Sequence, residues 1–159
     1  MTFRQTMLAA VMALAFVLPA AARQSGQVFV SSEKDNTVAV LDGKTHRQQA
    51  LIKTCKRPRH MQLTPDASRL LVACGDDGRA DVIDIARLAV VDRLKLQEGA
   101  EIFDLSPDGK TLYFSNEDDG LLSAVDLITK KTVANIKVGE EPEGVKVGPD
   151  GKTVYVTSE

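Results

Sequence analysis

The chain has 159 residues, a net charge of −2 and a pI near 5.7, with 4% aromatic residues and no tryptophan. A balance this close to neutral, on the acidic side, argues against a nucleic-acid partner or an anionic membrane surface. Without tryptophan, any core must be built mainly from Val, Leu, Ile and Ala.

The first element in chain order is a leader. Met1–Thr6 carries a single cation, Arg4, and Met7–Leu18 is an unbroken apolar run of twelve residues. Pro19 and Ala20-Ala21-Ala22 follow, which fits a small-x-small cleavage site. The pattern predicts a secretory signal peptide over residues 1–22, cut after Ala22. The run is shorter than the ~20 apolar residues of a comfortable membrane span. No cysteine at the cleavage point suggests a lipid anchor. The expected destination is the bacterial periplasm or beyond it, with no membrane contact once the leader is gone.

Beyond the leader, one stretch recurs. Leu105–Leu127 reads LSPDGKTLYFSNEDDGLLSAVDL, Leu63–Ile85 reads LTPDASRLLVACGDDGRADVIDI, and Val147 opens VGPDGKTVYVTSE. Pro65, Pro107 and Pro149 are 42 apart at each step, and Val30, Val72, Phe114 and Val156 keep the same interval. A fixed period of this size marks a stacked array or a propeller blade. Each repeat contains four short runs with apolar residues two apart, the period of a strand and not of a helix. Ser-Pro-Asp-Gly-Lys at 106–110 and Asn-Glu-Asp-Asp-Gly at 116–120 supply turn chemistry between them. The expected fold is all-β: a β-propeller of four-stranded antiparallel blades over residues 23–159. Its repeats cover 27–68, 69–110 and 111–152, with a further start at 153–159. Thirteen strands, grouped 3, 4, 4 and 2 along the chain, make an incomplete ring of about three blades plus part of a fourth.

The strings SPDGKTLYFSNEDD, EEPEGVKVGPDGKT and VYVTSE resemble the YVTN-type β-propeller repeat across Gln27–Glu159. VSSEKDNTVAVLD (Val30–Asp42) and EPEGVKVGPDGKTVYVTSE (Glu141–Glu159) are similar to the secreted β-propeller proteins associated with pyrroloquinoline-quinone (PQQ)-dependent catabolism. That resemblance implies a seven-bladed ring about twice this length, whose first inner strand comes from the far C-terminus. On it the chain reads as an N-terminal fragment, prone to self-association. The resemblance also implies a setting beside PQQ-dependent alcohol oxidation. Quinoprotein propellers carry repeated Trp-containing docking motifs, which this chain lacks, so no cofactor is expected.

Carboxylates that recur in every repeat point to scaffold. Asp42, Asp84 and Asp126 share one position, and Asp66, Asp108 and Asp150 another; both sets are expected to bind turn amides. Positions where the scaffold holds but the side chain changes are more informative. In a propeller the loop entering the innermost strand and the loop between the second and third strands lie on one face, at the channel mouth. Those loops carry Glu33, Arg59, His60, Glu101, Glu117 and Glu143. The expected surface is a dense acidic ring with Arg59 and His60 as basic exceptions, receiving an unknown protein or small-molecule ligand. A hard cation, if bound, belongs near Glu33, Glu101, Glu117 or Glu143.

No Cys-x-x-Cys-His, Gly-x-Ser-x-Gly or His-Glu-x-x-His string occurs. Cys55 and Cys74, the only cysteines, leave two arrangements open. They form a bridge in an oxidising compartment, with strand pairing setting Cys74 opposite Arg59, or Cys74 is a small buried hydrophobe and Cys55 an unrelated thiol. The function read from all this is an exported, non-catalytic binding or assembly platform. The alternative is a propeller enzyme, a metal-dependent lactonase-like hydrolase or an oxidoreductase domain, with part of its site in further blades.

Overall fold

The computed structural model describes residues 26–159. The signal-peptide reading falls outside them. Among the described residues there are thirteen strands and one short 3-10 turn, Gly75–Asp77. None of the described residues forms a helix long and apolar enough to cross a membrane.

The strands fall into four consecutive antiparallel sheets. Blade 1 holds β1 (Gln27–Ser32), β2 (Thr37–Asp42) and β3 (Gln48–Lys53). Blade 2 holds β4 (Pro58–Leu63), β5 (Arg69–Cys74), β6 (Arg79–Asp84) and β7 (Ala89–Lys95). Blade 3 holds β8 (Ala100–Leu105), β9 (Thr111–Asn116), β10 (Leu121–Asp126) and β11 (Lys131–Lys137). Blade 4 holds β12 (Pro142–Val147) and β13 (Val154–Ser158). Each strand pairs with the next in sequence, as hairpin turns dictate.

The period extends to the irregularities. The register shifts after Val40, Val82 and Ala124, and again after Pro58, Ala100 and Pro142. Both series step by 42. A bulge adds local twist, so the same deformation is built into successive blades.

Blades stack face to face. Val38, Val40 and Ile52 of blade 1 pack with Leu70, Val72 and Ile83 of blade 2. Leu71, Ala80 and Leu94 of blade 2 pack with Phe103, Leu112 and Phe114 of blade 3. Alternation along each strand sends neighbouring residues to opposite faces, so blade 2 serves both interfaces.

The inner strands β4, β8 and β12 lie side by side and are tied by a polar ladder. Gln62, Asp104 and Lys146 are repeat-equivalent, 42 apart. Asp104 is buried at 5% exposure. Its Oδ1 accepts from Gln62 Nε2 at 2.7 Å and from its neighbour Leu105 N–H at 2.9 Å. Its Oδ2 accepts from Val147 N–H at 2.8 Å and pairs with Lys146 Nζ at 2.9 Å. Burial pushes the Asp104 carboxyl upward, but the bonds from Lys146, Val147, Gln62 and Leu105 together outweigh it and hold the group below the usual carboxylate range. One carboxylate thus joins three blades. Asp104→Ala is expected to lower stability by about 2–3 kcal/mol, the scale of buried hydrogen bonds to a charged group. Urea unfolding checks this, and Asp104→Asn, which keeps an acceptor, should lose less.

Candidate functional site

All six residues singled out in the sequence come to one place. Arg59, His60, Glu101 and Glu143 sit in the inner strands β4, β8 and β12, however, and not in the loops before them, because each inner strand begins at Pro58, Ala100 or Pro142. Glu33, Arg59, His60, Glu101, Glu117 and Glu143 line a hollow of about 320 Å³ at one end of the blades. Two wider hollows open beside it. One, of about 430 Å³, is lined by residues including Arg57, Asp76, Glu98 and Asp118; the other, of about 580 Å³, by Glu117–Gly120, Lys137, Gly139–Glu141 and Glu143.

The backbone that presents these groups is unusual at one position. Arg57, Gly99 and Glu141 are repeat-equivalent and all left-handed, at φ 57°, 77° and 45°. Only glycine adopts this conformation freely; a side chain there costs on the order of 1 kcal/mol. Arg57 is held by Asn36, whose Oδ1 accepts the Arg57 N–H at 2.9 Å. At Gly99 a Cβ would lie 2.6 Å from Asp118 Oδ2, so that position admits no side chain without a shift. Charged residues occupy the other two.

To the expected acidic ring, with Arg59 and His60 as its basic exceptions, the structure adds a further cation, Arg57. It pairs with Glu33 at 3.5 Å, Asp76 at 3.3 Å and Glu101 at 3.6 Å. Arg59 pairs with Glu33 at 3.5 Å and also binds the other oxygen of Glu101. Glu101, 7% exposed, thus lies between two guanidinium groups. Buried carboxylates need such partners. The acidic character survives on the far side, where Glu117, Asp118, Asp119, Glu140, Glu141 and Glu143 surround the hollow of about 580 Å³. Among the described residues none of these six forms an ion pair.

The carboxylates named for a hard cation are not gathered into one cluster. No group of three or more His, Cys, Asp or Glu side chains among the described residues is placed to hold a metal ion. The physical reason is that Arg57 and Arg59 take up Glu33 and Glu101, two of the four named carboxylates.

His60 lies in β4 with its ring edge-on to Phe103, centroids 4.7 Å apart. Burial pulls its pKa below the ordinary value, against the pull of nearby Asp104. The ring is therefore neutral at pH 7, which suits a packing role.

The recurrent aspartates sit in turns. Asp42 Oδ1 accepts from the N–H groups of Lys44 and Thr45, Asp84 from Ala86 and Arg87, and Asp126 from Ile128 and Thr129, all at 2.6–3.0 Å. Asp66, Asp108 and Asp150 each accept the N–H two residues on, at 3.1 Å. The Thr64 hydroxyl, with the Ser68 N–H and hydroxyl, holds Asp66 down to about 2.

Cys55 and Cys74 are joined by a disulfide, with Cα atoms 5.8 Å apart. The strand register differs from the expected one: Cys74 pairs with Pro58, not Arg59, because the inner strand bulges between Pro58 and Met61. The residue opposite Cys74 thus stands three residues from Cys55 and not four. The Cys55 N–H donates to buried Asp81 Oδ2 at 3.0 Å, and the bridge stands two residues from Arg57.

Two outcomes follow. Thiol titration of denatured, unreduced protein is expected to find no free cysteine, and Cys55→Ser with Cys74→Ser should cost about 3 kcal/mol by loop entropy, read by denaturant unfolding. Two free thiols per chain would contradict the bridge. In the acid range, a carboxyl with a depressed pKa contributes stability that is full above the unfolded value and lost below it. For Asp66 that window runs from 3.8 down to about 2. A melting-temperature series through this range should show a fall that Asp66→Asn makes shallower.

No known family profile matches the chain, and no curated protein matches it in sequence. Solved structures do match, 864 chains of them, a breadth that leaves function open. The hydrazine synthase of Kuenenia stuttgartiensis is similar at a TM-score of 0.74 and 25% identity, over 81% of this chain and 38% of that one. Dihydro-heme d1 dehydrogenase NirN, solved in complex with DHE, is similar at a TM-score of 0.69 and 21% identity, over 86% of this chain and 31% of that one. The chain therefore spans less than two fifths of either protein. Both are β-propeller proteins, and with the stacked four-stranded sheets they establish the fold here as an incomplete β-propeller.

Proposed function

We propose that this chain is part of an exported, non-catalytic β-propeller that acts as a binding platform, and that its partner presents a cationic segment to the acidic side of the mouth. One observation carries the reading. Six carboxylates surround a hollow of about 580 Å³ with Lys137 as the single basic residue among its lining, whereas the other half of the mouth is neutralised internally by Arg57 and Arg59. A concave field of one sign speeds and orients the approach of an opposite charge. The wider setting rests on the repeat resemblance: export by the leader, and an accessory place beside PQQ-dependent alcohol oxidation.

A second reading has its own support. The two similar proteins named above are a synthase and a dehydrogenase. On that reading the chain is the propeller portion of a larger redox enzyme, with the reacting groups on other parts of it.

Calorimetric titration with an octalysine peptide tests the first reading. Binding is expected at low salt, weakening as salt screens the charges. Replacing Glu117, Glu141 and Glu143 together by Gln should weaken it about tenfold or more, which is 1.4 kcal/mol. Equal binding by the triple variant, or none by the native chain, would remove the acidic hollow as the site. Capture from a periplasmic extract, with turnover measured on what is retained, separates platform from enzyme.

A further inference from the structure

Where neighbouring blades meet at the mouth, repeat-equivalent positions line a hollow. Lys34, Lys56 and Arg57 line one of about 300 Å³ between blades 1 and 2. One repeat on, Asp76, Glu98 and Gly99 line the hollow of about 430 Å³. Two repeats on, Asp118, Glu140 and Glu141 line the one of about 580 Å³. These three positions carry charges of +3, −2 and −3 in turn. The scaffold is shared, and the sign is reversed in the first hollow.

A fourth position changes with them. Asn36, Gly78 and Gly120 are repeat-equivalent and left-handed, at φ 57°, 54° and 64°. Glycine adopts that backbone freely, and asparagine is among the few other residues that tolerate it. Only in the first hollow does this position carry a side chain. Its orientation is fixed, because Oδ1 accepts the Arg57 N–H at 2.9 Å. The other end of the amide, Nδ2, is a donor only, and it meets no acceptor among the described residues.

The acids close to this hollow are engaged elsewhere. Glu33 and Asp76 also line it, but both pair with Arg57, and Glu33 with Arg59 as well. Asp35 accepts from the Ser32 hydroxyl at 2.7 Å. The ammonium groups of Lys34 and Lys56 form no ion pair among the described residues, while the Lys56 backbone is held by its N–H bond to Asp77. A fixed amide donor with two uncommitted cations in a concave wall suits the charge-assisted bonds that an oxyanion accepts.

We propose that the hollow between blades 1 and 2 is a binding site for an oxyanion, a carboxylate or a phosphate group, held by Asn36 Nδ2, Lys34 and Lys56 beside Arg57. None of Lys34, Asn36 and Lys56 borders the acidic hollow, so this site is separate from the one proposed for a cationic segment.

Nuclear magnetic resonance titration of the ¹⁵N-labelled chain tests it, with inorganic phosphate in one series and succinate in another, at fixed low ionic strength. The Asn36 side-chain amide signals are expected to move and to saturate, and the probe that binds more tightly names the group. Lys34→Gln with Lys56→Gln should weaken binding about tenfold or more, which is 1.4 kcal/mol. Asn36→Asp keeps an oxygen for the Arg57 N–H and suits the left-handed backbone, but removes the donor. It should abolish binding without lowering stability in urea. Lys44→Gln with Lys152→Gln makes the same change of charge in turns at the opposite end of the blades, and should bind as the native chain does. Asn36 signals unmoved by either probe would overturn the proposal. So would equal weakening by the two double variants, which would mean attraction by net charge alone.

Discussion

The structure depends on one constraint: a blade has two faces and nothing but another blade to cover them. There is no helical layer among the described residues, so the core lies between sheets and never inside one. This explains the look of the sequence. A strand buried on one side alternates apolar and polar residues, whereas one buried on both reads as a continuous apolar run. β5 and β9 are second strands with a blade on either side, and Leu70-Leu71-Val72-Ala73 is such a run. β7 and β11 lie at the outer edge, and Lys131–Lys137 is mostly exposed and mostly polar. The same constraint accounts for Asp104. A carboxylate in an inner strand survives burial because the strands on both sides carry its partners at the repeat-equivalent positions.

A second recurring contact fixes the mouth. In blades 2, 3 and 4 the end of the second strand reaches the connection that enters the blade. In blade 3 the contact is a hydrogen bond, from Asn116 Nδ2 to the Glu98 carbonyl at 2.7 Å. In blade 4 Ser158 lies against Gly139. In blade 2 the equivalent residue is Cys74, and the contact is covalent, to Cys55. The bridge therefore replaces a hydrogen-bonded clasp in kind, at a place the scaffold already holds together. Its position matters because the next residues are Lys56 and Arg57. Lys56 N–H donates to Asp77 Oδ2 at 3.0 Å and Arg57 N–H to Asn36. Bridge and bonds together hold a left-handed arginine over Glu33, Asp76 and Glu101.

Much of this was legible in the sequence because it is local or periodic. Turn residues at Pro65-Asp66 and Pro107-Asp108, alternation in the strands and the 42-residue step need no knowledge of distant contacts. The six mouth residues were legible through the fold, since the period assigns each loop to a face. What was missed depends on pairing between repeats. Arg57, the group that neutralises three carboxylates, was not legible, because its partners come from three different blades. The Cys74 register was displaced by a bulge, which leaves no residue signature in Pro58–Met61. Asp104 drew no attention as a lone acid in an apolar strand. Its signal was present, however, in the step that relates Gln62, Asp104 and Lys146.

The mouth shows how one scaffold position serves two ends. Position 57/99/141 is left-handed in all three repeats, so glycine would relieve the strain at each. Glycine stands only at 99, where a Cβ would make the Asp118 carboxylate shift. At 57 the side chain is spent inside the molecule, on Glu33, Asp76 and the buried Glu101. At 141 the same strain is carried by a carboxylate that borders the open hollow and forms no ion pair among the described residues. The Glu141 carbonyl accepts the Glu159 N–H at 3.3 Å, so the backbone there is held while the side chain stays outside the internal ion pairs. The same left-handed position thus serves internal neutralisation at 57 and leaves a carboxylate beside the hollow at 141.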